Sequence, residues 1–332
     1  MILSIALPLI VAAVVALASP LVLYPLLARA GVVDIPNERS SHHRVTTRGG
    51  GVAQLAAVWL SGTIAVVCAP SLESQRTMAI VIGGALLTGV LGFVEDARGV
   101  RIAVRAGTQL AIGGVVALMF VTTTEASWWL VPTAALGFAT YVNFTNFMDG
   151  INGISGLHGA VVGVSYAALG SILHVEWLTV VGAIIAIAFV CFLPWNFTPP
   201  GVFMGDVGSY LLGAAIAASA MAAHAAGIPP LSIAAPLTIY LADTSTVIIK
   251  RVLRREKWFQ PHRQHVYQRL VDAGASHLAT ALVVTLLSGL AALVGVALAT
   301  RVIHSPSVAI AILTVIAFAY LSLPHFSRIK DH

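Results

Sequence analysis

Five carboxylates in this chain stand at or near the ends of long apolar segments. They are Glu95 and Asp96, Asp149, Asp206 and Asp243. A charged side chain next to hydrocarbon costs roughly 2.5–3.5 kcal/mol on insertion scales, so several at one depth indicate a water-filled cleft that holds a cation or a cationic partner.

Two loops supply clustered positive charge close to these acids. Carboxylates beside arginine and histidine suit magnesium together with phosphates, because carboxylate oxygens bind the metal while guanidinium and imidazole groups bind phosphoryl oxygens. Basic loops beside membrane spans also commonly set topology or contact anionic lipid, and both interpretations stay open here. The two clusters are Arg39, His42, His43, Arg44 and Arg48, and Lys250, Arg251, Arg254, Arg255, Lys257, His262, Arg263 and His265.

Two further patterns are suited to ligand binding. Asn143, Asn146 and Asp149 follow helical spacing, which predicts three polar side chains along one face of a helix end. The triplet of glycines at 49–51 precedes an apolar segment and predicts an anion site at a helix N-terminus, although a hinge has the same pattern.

The elements that must position these residues are membrane-spanning helices. Only 9% of the 332 residues are charged and 58% are hydrophobic, which excludes an ordinary soluble domain. We predict an all-α polytopic membrane protein that forms a single domain over residues 1–332. The eleven predicted spans are 2–28, 51–70, 77–94, 104–122, 127–146, 157–174, 177–194, 207–226, 229–249, 277–299 and 306–323.

Charge distribution predicts the orientation. Alternating spans place sixteen of the 18 Lys and Arg residues on one side and only Arg76 and Arg301 on the other. The positive-inside rule then puts the N-terminus outside and the C-terminus in the cytoplasm. The net charge of +5 could suggest that the protein binds nucleic acid. The one-sided distribution of the positive charges instead indicates a signal for membrane orientation. The predicted cytoplasmic loops, which carry the catalytic groups, are 29–50, 95–103, 147–156, 195–206 and 250–276.

Seven motifs stand at predicted cytoplasmic positions along the chain. They are Asp-Ile-Pro-Asn-Glu-Arg-Ser-Ser-His at 34–42, Thr-Arg-Gly-Gly-Gly at 47–51, Glu-Asp at 95–96, Asn-Phe-Thr-Asn-Phe-Met-Asp-Gly-Ile-Asn-Gly at 143–153, Pro-Trp-Asn-Phe at 194–197, Phe-Met-Gly-Asp-Val-Gly-Ser at 203–209 and Pro-His-Arg-Gln-His-Val-Tyr-Gln-Arg-Leu at 261–270. In these motifs the chain resembles the polyprenyl-phosphate N-acetylhexosamine-1-phosphate transferase family, which includes O-antigen initiators and, more distantly, the MraY enzyme. The resemblance covers nearly the whole chain.

The resemblance implies a fold, a reaction and a set of roles. The reaction is transfer of a sugar 1-phosphate from a UDP-N-acetylhexosamine to polyprenyl phosphate at the cytoplasmic face of the bacterial inner membrane, with Mg²⁺ or alternatively Mn²⁺. It implies that Asp206 and Asp96 bind the metal, and that Asp96, Glu95 and Asp206 are catalytic. The implied substrate-binding residues include Asn143, with Asn146, Asp149 and Asn152 for the uridine part, Phe203 for the base and Asn196 beside the nucleotide. Those implied for phosphates are Arg39, His42 and Arg48, and those for the diphosphate or sugar are His262, Arg263 and His265.

Three departures from the family pattern bear on these roles. Glu95 stands where the family usually has Asp, which weakens its case as a nucleophile, so Asp96 is preferred. Asn152 stands where many members have a second Asp and adds no charge. The His-Arg-Gln-His sequence at 262–265 differs from the three histidines of the peptidoglycan branch and points to an O-antigen type of initiator.

Several alternatives stay open at this point. Direct attack by the lipid phosphate is favoured, but an acyl-phosphate on the acidic pair is the competing scheme. An ion-coupled transporter also uses intramembrane acids, although it predicts polar groups near the bilayer midplane and inverted repeats. The sequence identifies neither the sugar nor the oligomeric state, and a homodimer stays open.

Overall fold

The computed structural model describes residues 2–34, 46–124, 127–198, 201–257 and 263–327. Within these ranges the chain is almost wholly helical, with one small two-stranded sheet. The helices are α1 (Ile2–Ala18), α2 (Pro20–Arg29), α3 (Val52–Val67), α4 (Leu72–Arg98), α5 (Ile102–Thr124), α6 (Leu130–Met148), α7 (Ile154–Ile172), α8 (Glu176–Val190), α9 (Leu193–Phe197), α10 (Gly205–Ala225), α11 (Pro230–Ala234), α12 (Thr238–Leu253), α13 (Val266–Asp272), α14 (His277–Ala299) and α15 (Pro306–Ser327). The strands are β1 (Val33–Asp34) and β2 (Thr46–Thr47).

Each of the eleven predicted apolar segments coincides with a helix or a pair of helices, so the all-α prediction is confirmed. Among the described residues, eight helical segments are long and apolar enough to cross a membrane, and the bent pair α1 and α2 makes nine. Two predicted spans are not among these nine. The helix α3 has only 16 residues, and α6, although continuous, carries polar side chains near its end. The count of eleven and the orientation stay predictions.

Proline residues break two of the segments. Pro20 begins α2 after a bend of 41° from α1, because a proline has no N–H to continue the preceding helix. Pro236 lies in a 3₁₀ turn, Ala235–Leu237, between α11 and α12. The first break bends its segment, whereas α11 and α12 together remain one segment, Pro230–Leu253, that is long and apolar enough to cross a membrane.

The helix α10 lies at the centre of the bundle, with most of its residues buried. Close approach depends on glycine. A Cβ at Gly92 of α4 would overlap the backbone of Asp206, and a Cβ at Gly213 of α10 would stand 2.7 Å from Cα of Val142 in α6. Small residues at helix contacts are typical of membrane bundles. They place the end of α4 against the beginning of α10.

Backbone hydrogen bonds hold the segment before α3, residues 46–51, against β1 and residues 202–204. The strand β2 pairs antiparallel with β1, and Thr47 also bridges to Val202. The N–H of Gly50 donates to the carbonyl of Phe203 at 2.8 Å, and that of Gly51 donates to the carbonyl of Met204 at 2.8 Å. These donors are used within the protein, so the anion site predicted for the glycine triplet is wrong. The triplet instead permits close packing, since a Cβ at Gly51 would overlap Gly208.

Candidate active site

Asp96 caps the central helix. It lies in the last turn of α4, and its Oδ1 and Oδ2 accept hydrogen bonds from the N–H groups of Asp206 at 3.0 Å and Val207 at 2.9 Å. The first N–H groups of a helix have no partner within the helix, and a carboxylate there also meets the positive end of the helix dipole. The side chain of Asp96 is fully buried. Asp96 therefore fixes the start of α10.

Arg48 joins Asp96 to Asp206. Its Nε lies 2.7 Å from Oδ1 of Asp96, and its Nη2 lies 2.8 Å from Oδ2 of Asp206. The arginine side chain is 36% exposed, whereas the two carboxylates are almost wholly buried. The guanidinium is therefore the accessible side of this ion triad and can turn toward a ligand.

Asn146 holds the second oxygen of Asp206. From the last turn of α6, its amide donates to Oδ1 of Asp206 at 2.5 Å and to the hydroxyl of Ser209 at 3.1 Å. One carboxylate oxygen of Asp206 therefore accepts a hydrogen bond from the amide of Asn146, and the other pairs with the guanidinium of Arg48. The structure thus brings together the end of α4, the end of α6 and the start of α10, as predicted.

Asp149 follows α6 directly and lies near the same charges. The hydroxyl of Ser155 donates to its Oδ1 at 2.6 Å. Burial raises the pKa of Asp149 to about 7, and the negative charges of Asp206 and Asp96 add to the rise, while Ser155 and Arg48 oppose it. This carboxyl therefore gains and loses a proton near neutral pH.

Asn196 and Asn152 brace the loop that follows Asp149. The buried side chain of Asn196 accepts from the N–H of Gly153 at 2.6 Å and donates to the carbonyl of Val202 at 2.9 Å. The amide of Asn152 donates to the carbonyl of Asn196 at 3.1 Å. Gly153 has a φ of +87°, a conformation that glycine adopts at little cost. In this structure the two asparagines hold the 149–153 loop to the 196–202 segment.

Two predicted site residues face away from the cluster. Glu95 pairs with Arg105 of α5 at 3.2 Å, and the amide of Asn143 donates to Gln109 of α5 at 2.6 Å. Asn143 and Asn146 are three residues apart on α6 and so lie on neighbouring positions of its surface, as predicted, although they bond to α5 and α10 respectively. The prediction of one shared helix face is wrong for Asp149. Asp149 is already outside the helix, and the other two side chains meet different neighbours.

The last basic motif is organised by Asp243. Nδ1 of the buried His265 lies 3.1 Å from Oδ1 of Asp243, and Tyr320 donates to Oδ2 at 2.7 Å. The N–H of Val266 also donates to this carboxylate, which thereby caps α13. These contacts assign Asp243 to joining His265, Tyr320 and the start of α13, apart from the other four carboxylates. Arg263 pairs with Asp272 at 2.6 Å on the exposed side of α13.

Phe203 lies beside the strand β2. Phe203 is half-buried, and its N–H donates to the carbonyl of Thr47 at 2.9 Å. Arg39, His42 and His262 lie outside the described residues.

Sequence reasoning missed several partners of the site. Ser155 and Ser209 lie inside or beside the motifs, and their hydroxyls hold Asp149 and Asn146. Tyr267 donates from its hydroxyl to the carbonyl of Phe147 at 3.0 Å and packs on Gly150, which joins α13 to the end of α6. Gln109 and Tyr320 gave no local signal, because each lies in a mainly apolar helix and belongs to none of the motifs.

The donor set fits magnesium by charge and chemistry. Asp96, Asp149 and Asp206 offer carboxylate oxygens, and the guanidinium of Arg48 is shared between Asp96 and Asp206. Within the described ranges, no three His, Cys, Asp or Glu side chains form a ready metal cage. Magnesium usually keeps several waters and uses one or two carboxylates together with substrate phosphates. The residues therefore suit a metal that binds with a nucleotide.

Comparison with known proteins tests the resemblance. The sequence profile described as glycosyl transferase family 4 matches residues 78–224, which contain Asp96, Asn146, Asp149 and Asp206. The resemblance predicted from the motifs is confirmed. This chain is 28% identical over 304 residues to the "Probable undecaprenyl-phosphate N-acetylglucosaminyl 1-phosphate transferase" of Bacillus subtilis (strain 168), covering 84% of this chain and 81% of that protein.

Two further relatives have similar names. The undecaprenyl-phosphate alpha-N-acetylglucosaminyl 1-phosphate transferase of Escherichia coli (strain K12) is 26% identical, covering 81% of this chain and 77% of that protein. The decaprenyl-phosphate N-acetylglucosaminephosphotransferase of Mycobacterium tuberculosis (strain ATCC 25618 / H37Rv) is 25% identical, covering 80% and 76%. The apolar helices and these bacterial relatives indicate a multi-pass bacterial membrane protein.

Proposed function

We propose that this protein transfers an N-acetylhexosamine 1-phosphate from a UDP-sugar to polyprenyl phosphate and releases UMP, as the first step of O-antigen or related envelope polysaccharide synthesis. One observation carries the proposal. In a chain whose relatives are named as polyprenyl-phosphate sugar-1-phosphate transferases, Arg48, Asp96, Asn146 and Asp206 come from four segments and meet at one end of the bundle.

The reaction joins two anions. An oxygen of the lipid phosphate attacks the phosphorus that carries the sugar, the bond from that phosphorus to the bridging oxygen breaks, and UMP leaves with the bonding electrons. Such a transfer depends mainly on positioning and on stabilisation of negative charge. Arg48 is the group on this chain best placed to bind the phosphates, because its guanidinium is partly exposed between two buried carboxylates.

The carboxylates and amides have separate tasks in this proposal. Magnesium would be held by Asp206, with Asp96 beside it, and would neutralise charge on the diphosphate. Asn146 orients Asp206, and the braced loop of Asp149, Asn152 and Asn196 supports the uridine part.

Direct attack by the lipid phosphate is the scheme that the contacts favour. Both oxygens of Asp96 accept backbone hydrogen bonds, and one of them also meets Arg48. A nucleophilic carboxylate would have to give up part of this network before it could attack. Glu95 is turned to Arg105. We therefore assign Asp96 to positioning the start of α10 and its acid Asp206.

The position of the cluster is accessible both to a lipid substrate and to a water-soluble substrate. It lies at helix ends, where a lipid phosphate can approach from the membrane and a sugar nucleotide from water. The biased Lys and Arg distribution supports the cytoplasmic side of the inner membrane. An ion-coupled transporter would instead place its polar groups near the midplane of the bilayer.

A transfer assay with a panel of donors tests the proposal. The purified protein is incubated with polyprenyl phosphate and UDP-N-acetylhexosamines labelled in the sugar, with magnesium or with a chelator. We expect labelled lipid from one donor with magnesium, and at least 100-fold less with Asp206→Asn. Glu73→Gln is the control, because this acid is exposed in the first turn of α4 at the opposite end from Asp96. Absence of labelled lipid from every donor, with folded protein and a working control enzyme, would reopen the transporter hypothesis.

A further inference from the structure

A groove of about 640 Å³ lies between α4 and α5, away from the candidate active site. Its length is lined by apolar side chains, among them Ala79, Leu87, Val115, Val116 and Met119. Ile80 and Val116 are buried and form its floor, whereas Leu87 and Met119 are exposed at its rim. The groove is therefore open to the side that faces lipid tails.

Small residues on α4 create this space. Ala79, Gly83 and Gly84 line the groove at consecutive turns. A Cβ added at Gly83 would meet no atom within 4 Å, whereas one at Gly84 would press on Val116. The two helices touch through Gly84 and leave a hollow beside Gly83, where a chain of methylene groups can lie. A bulky side chain at position 83 would fill the hollow without displacing either helix.

The polar groups of the groove lie at one end. Arg76 stands there with Thr122 and Thr123. Arg76 is exposed, and among the described residues it makes no ion pair. An arginine with hydroxyl groups beside it, at the mouth of an apolar groove, is complementary to a phosphate that carries an acyl chain.

The end that carries Arg76 is remote from the catalytic cluster. Arg76 and Asp96 lie on the same helix, and twenty residues of helix span about 30 Å. A phosphate on Arg76 therefore belongs to the opposite membrane leaflet from the one that supplies the acceptor phosphate. Arg76 is also one of only two basic residues assigned to that side of the membrane, so its presence there calls for a local reason.

We propose that this groove binds one anionic phospholipid of the leaflet opposite the active site. The phosphate lies on Arg76, and one acyl chain occupies the hollow beside Gly83. The site lies outside the transfer reaction and does not depend on it. The bound lipid fills the hollow that α4 and α5 leave beside Gly83, next to their contact at Gly84.

Native mass spectrometry of the delipidated full-length protein tests this site, with phosphatidylglycerol and phosphatidylcholine as probes. We expect the wild type to bind one phosphatidylglycerol about five-fold more tightly than phosphatidylcholine, and Arg76→Gln to remove this preference. Gly83→Leu should weaken binding of both lipids at least five-fold. The matched control is Gly137→Leu, because a Cβ at the exposed Gly137 of α6 also meets no atom within 4 Å.

Three results would overturn the proposal. They are equal binding of the two lipids by the wild type, wild-type binding by Gly83→Leu, and displacement of phosphatidylglycerol by polyprenyl phosphate at equal concentration. The last result would assign the groove to the acceptor tail. Ala79→Leu is a second filling variant if Gly83→Leu does not give monodisperse protein, since Ala79 also lines the groove and is exposed.

Discussion

Replacing Asp96 with Asn separates a positioning role from a nucleophilic one. Oδ1 of Asp96 accepts the N–H of Asp206 and lies 2.7 Å from Nε of Arg48, and Oδ2 accepts the N–H of Val207. Asn has one acceptor oxygen in place of two. If that oxygen keeps the place of Oδ1, the new amide group faces the N–H of Val207, and two donors oppose each other.

The size of the effect follows from these contacts. A buried N–H left without an acceptor costs about 1–3 kcal/mol, and loss of a negative charge at a helix N-terminus costs about 0.3–1 kcal/mol. The ion pair with Arg48 adds less than a fully buried pair would, because the arginine is 36% exposed. We expect a loss of about 2–4 kcal/mol in the free energy of unfolding. A displacement of Asp206 near 1 Å would lower kcat about 100-fold.

The assay measures the transfer rate and thermal unfolding of the same preparation in detergent. Glu95→Gln is the comparison, because the neighbouring acid pairs with Arg105 and makes no bond to α10. We expect Asp96→Asn to lower both the thermal midpoint and kcat, with KM changed only a few-fold. Glu95→Gln should lower both quantities by much less.

Three results would refute this reasoning. Asp96→Asn with wild-type thermal stability would show that its bonds to α10 contribute little. Complete loss of activity at unchanged stability, together with an acyl-phosphate trapped on the wild-type Asp96, would establish the nucleophilic role. A rate within a few-fold of wild type would reject both roles.

Other predictions follow from the same contacts. Burial raises the pKa of Asp149 to about 7, so the folded protein retains a proton that the unfolded chain loses near pH 4. The contribution of Asp149 to the free energy of unfolding is therefore present below pH 4 and is lost as the pH rises to about 7. The thermal midpoint of the wild type should fall between pH 5 and 8. The part of this fall that is due to Asp149 should be absent from Asp149→Asn. Gly92→Ala should lower transfer at least ten-fold because its Cβ would overlap the backbone of Asp206, while Gly83→Ala on the same helix should leave the rate unchanged; equal rates would refute the close approach. Arg263→Ala should weaken UDP-sugar binding, measured by calorimetry, far more than Arg254→Ala, and equal effects would leave both as ordinary basic loop residues.

The sequence was sufficient to predict the helices and the end of the bundle at which the polar groups meet. Apolar runs of span length locate the long helices within a few residues, and alternation of the spans brings residues 48, 96, 146 and 206 to one side. The short helix α13 was missed, because it lies within the predicted loop 250–276 and has no such run. That Asp96 and Asp206 are neighbours follows from this alternation together with the motif order. Their hydrogen bonds do not follow from it.

The side-chain partners within the site could not be predicted, because they depend on residues that are distant in the sequence. Glu95 and Asp96 are consecutive, but side chains turn by about 100° per residue in a helix, so one meets α5 and the other meets α10. Asn143 and Asn146 are neighbours on the surface of α6, but one bonds to Gln109 of α5 and the other to Asp206 of α10, and no local pattern shows which helix each will meet. The glycine triplet resembles an anion site until its partner segment at 202–204 is known.

Simultaneous measurement of UMP and lipid product tests the central claim most directly. The purified protein receives magnesium and a UDP-N-acetylhexosamine labelled in both uridine and sugar, with or without polyprenyl phosphate. We predict that UMP and polyprenyl-diphosphate sugar form in equal amounts, and that both require the acceptor. Stoichiometric UMP release without acceptor would contradict direct attack and favour an enzyme-bound intermediate. Failure of every donor to yield labelled lipid would contradict the proposed function itself.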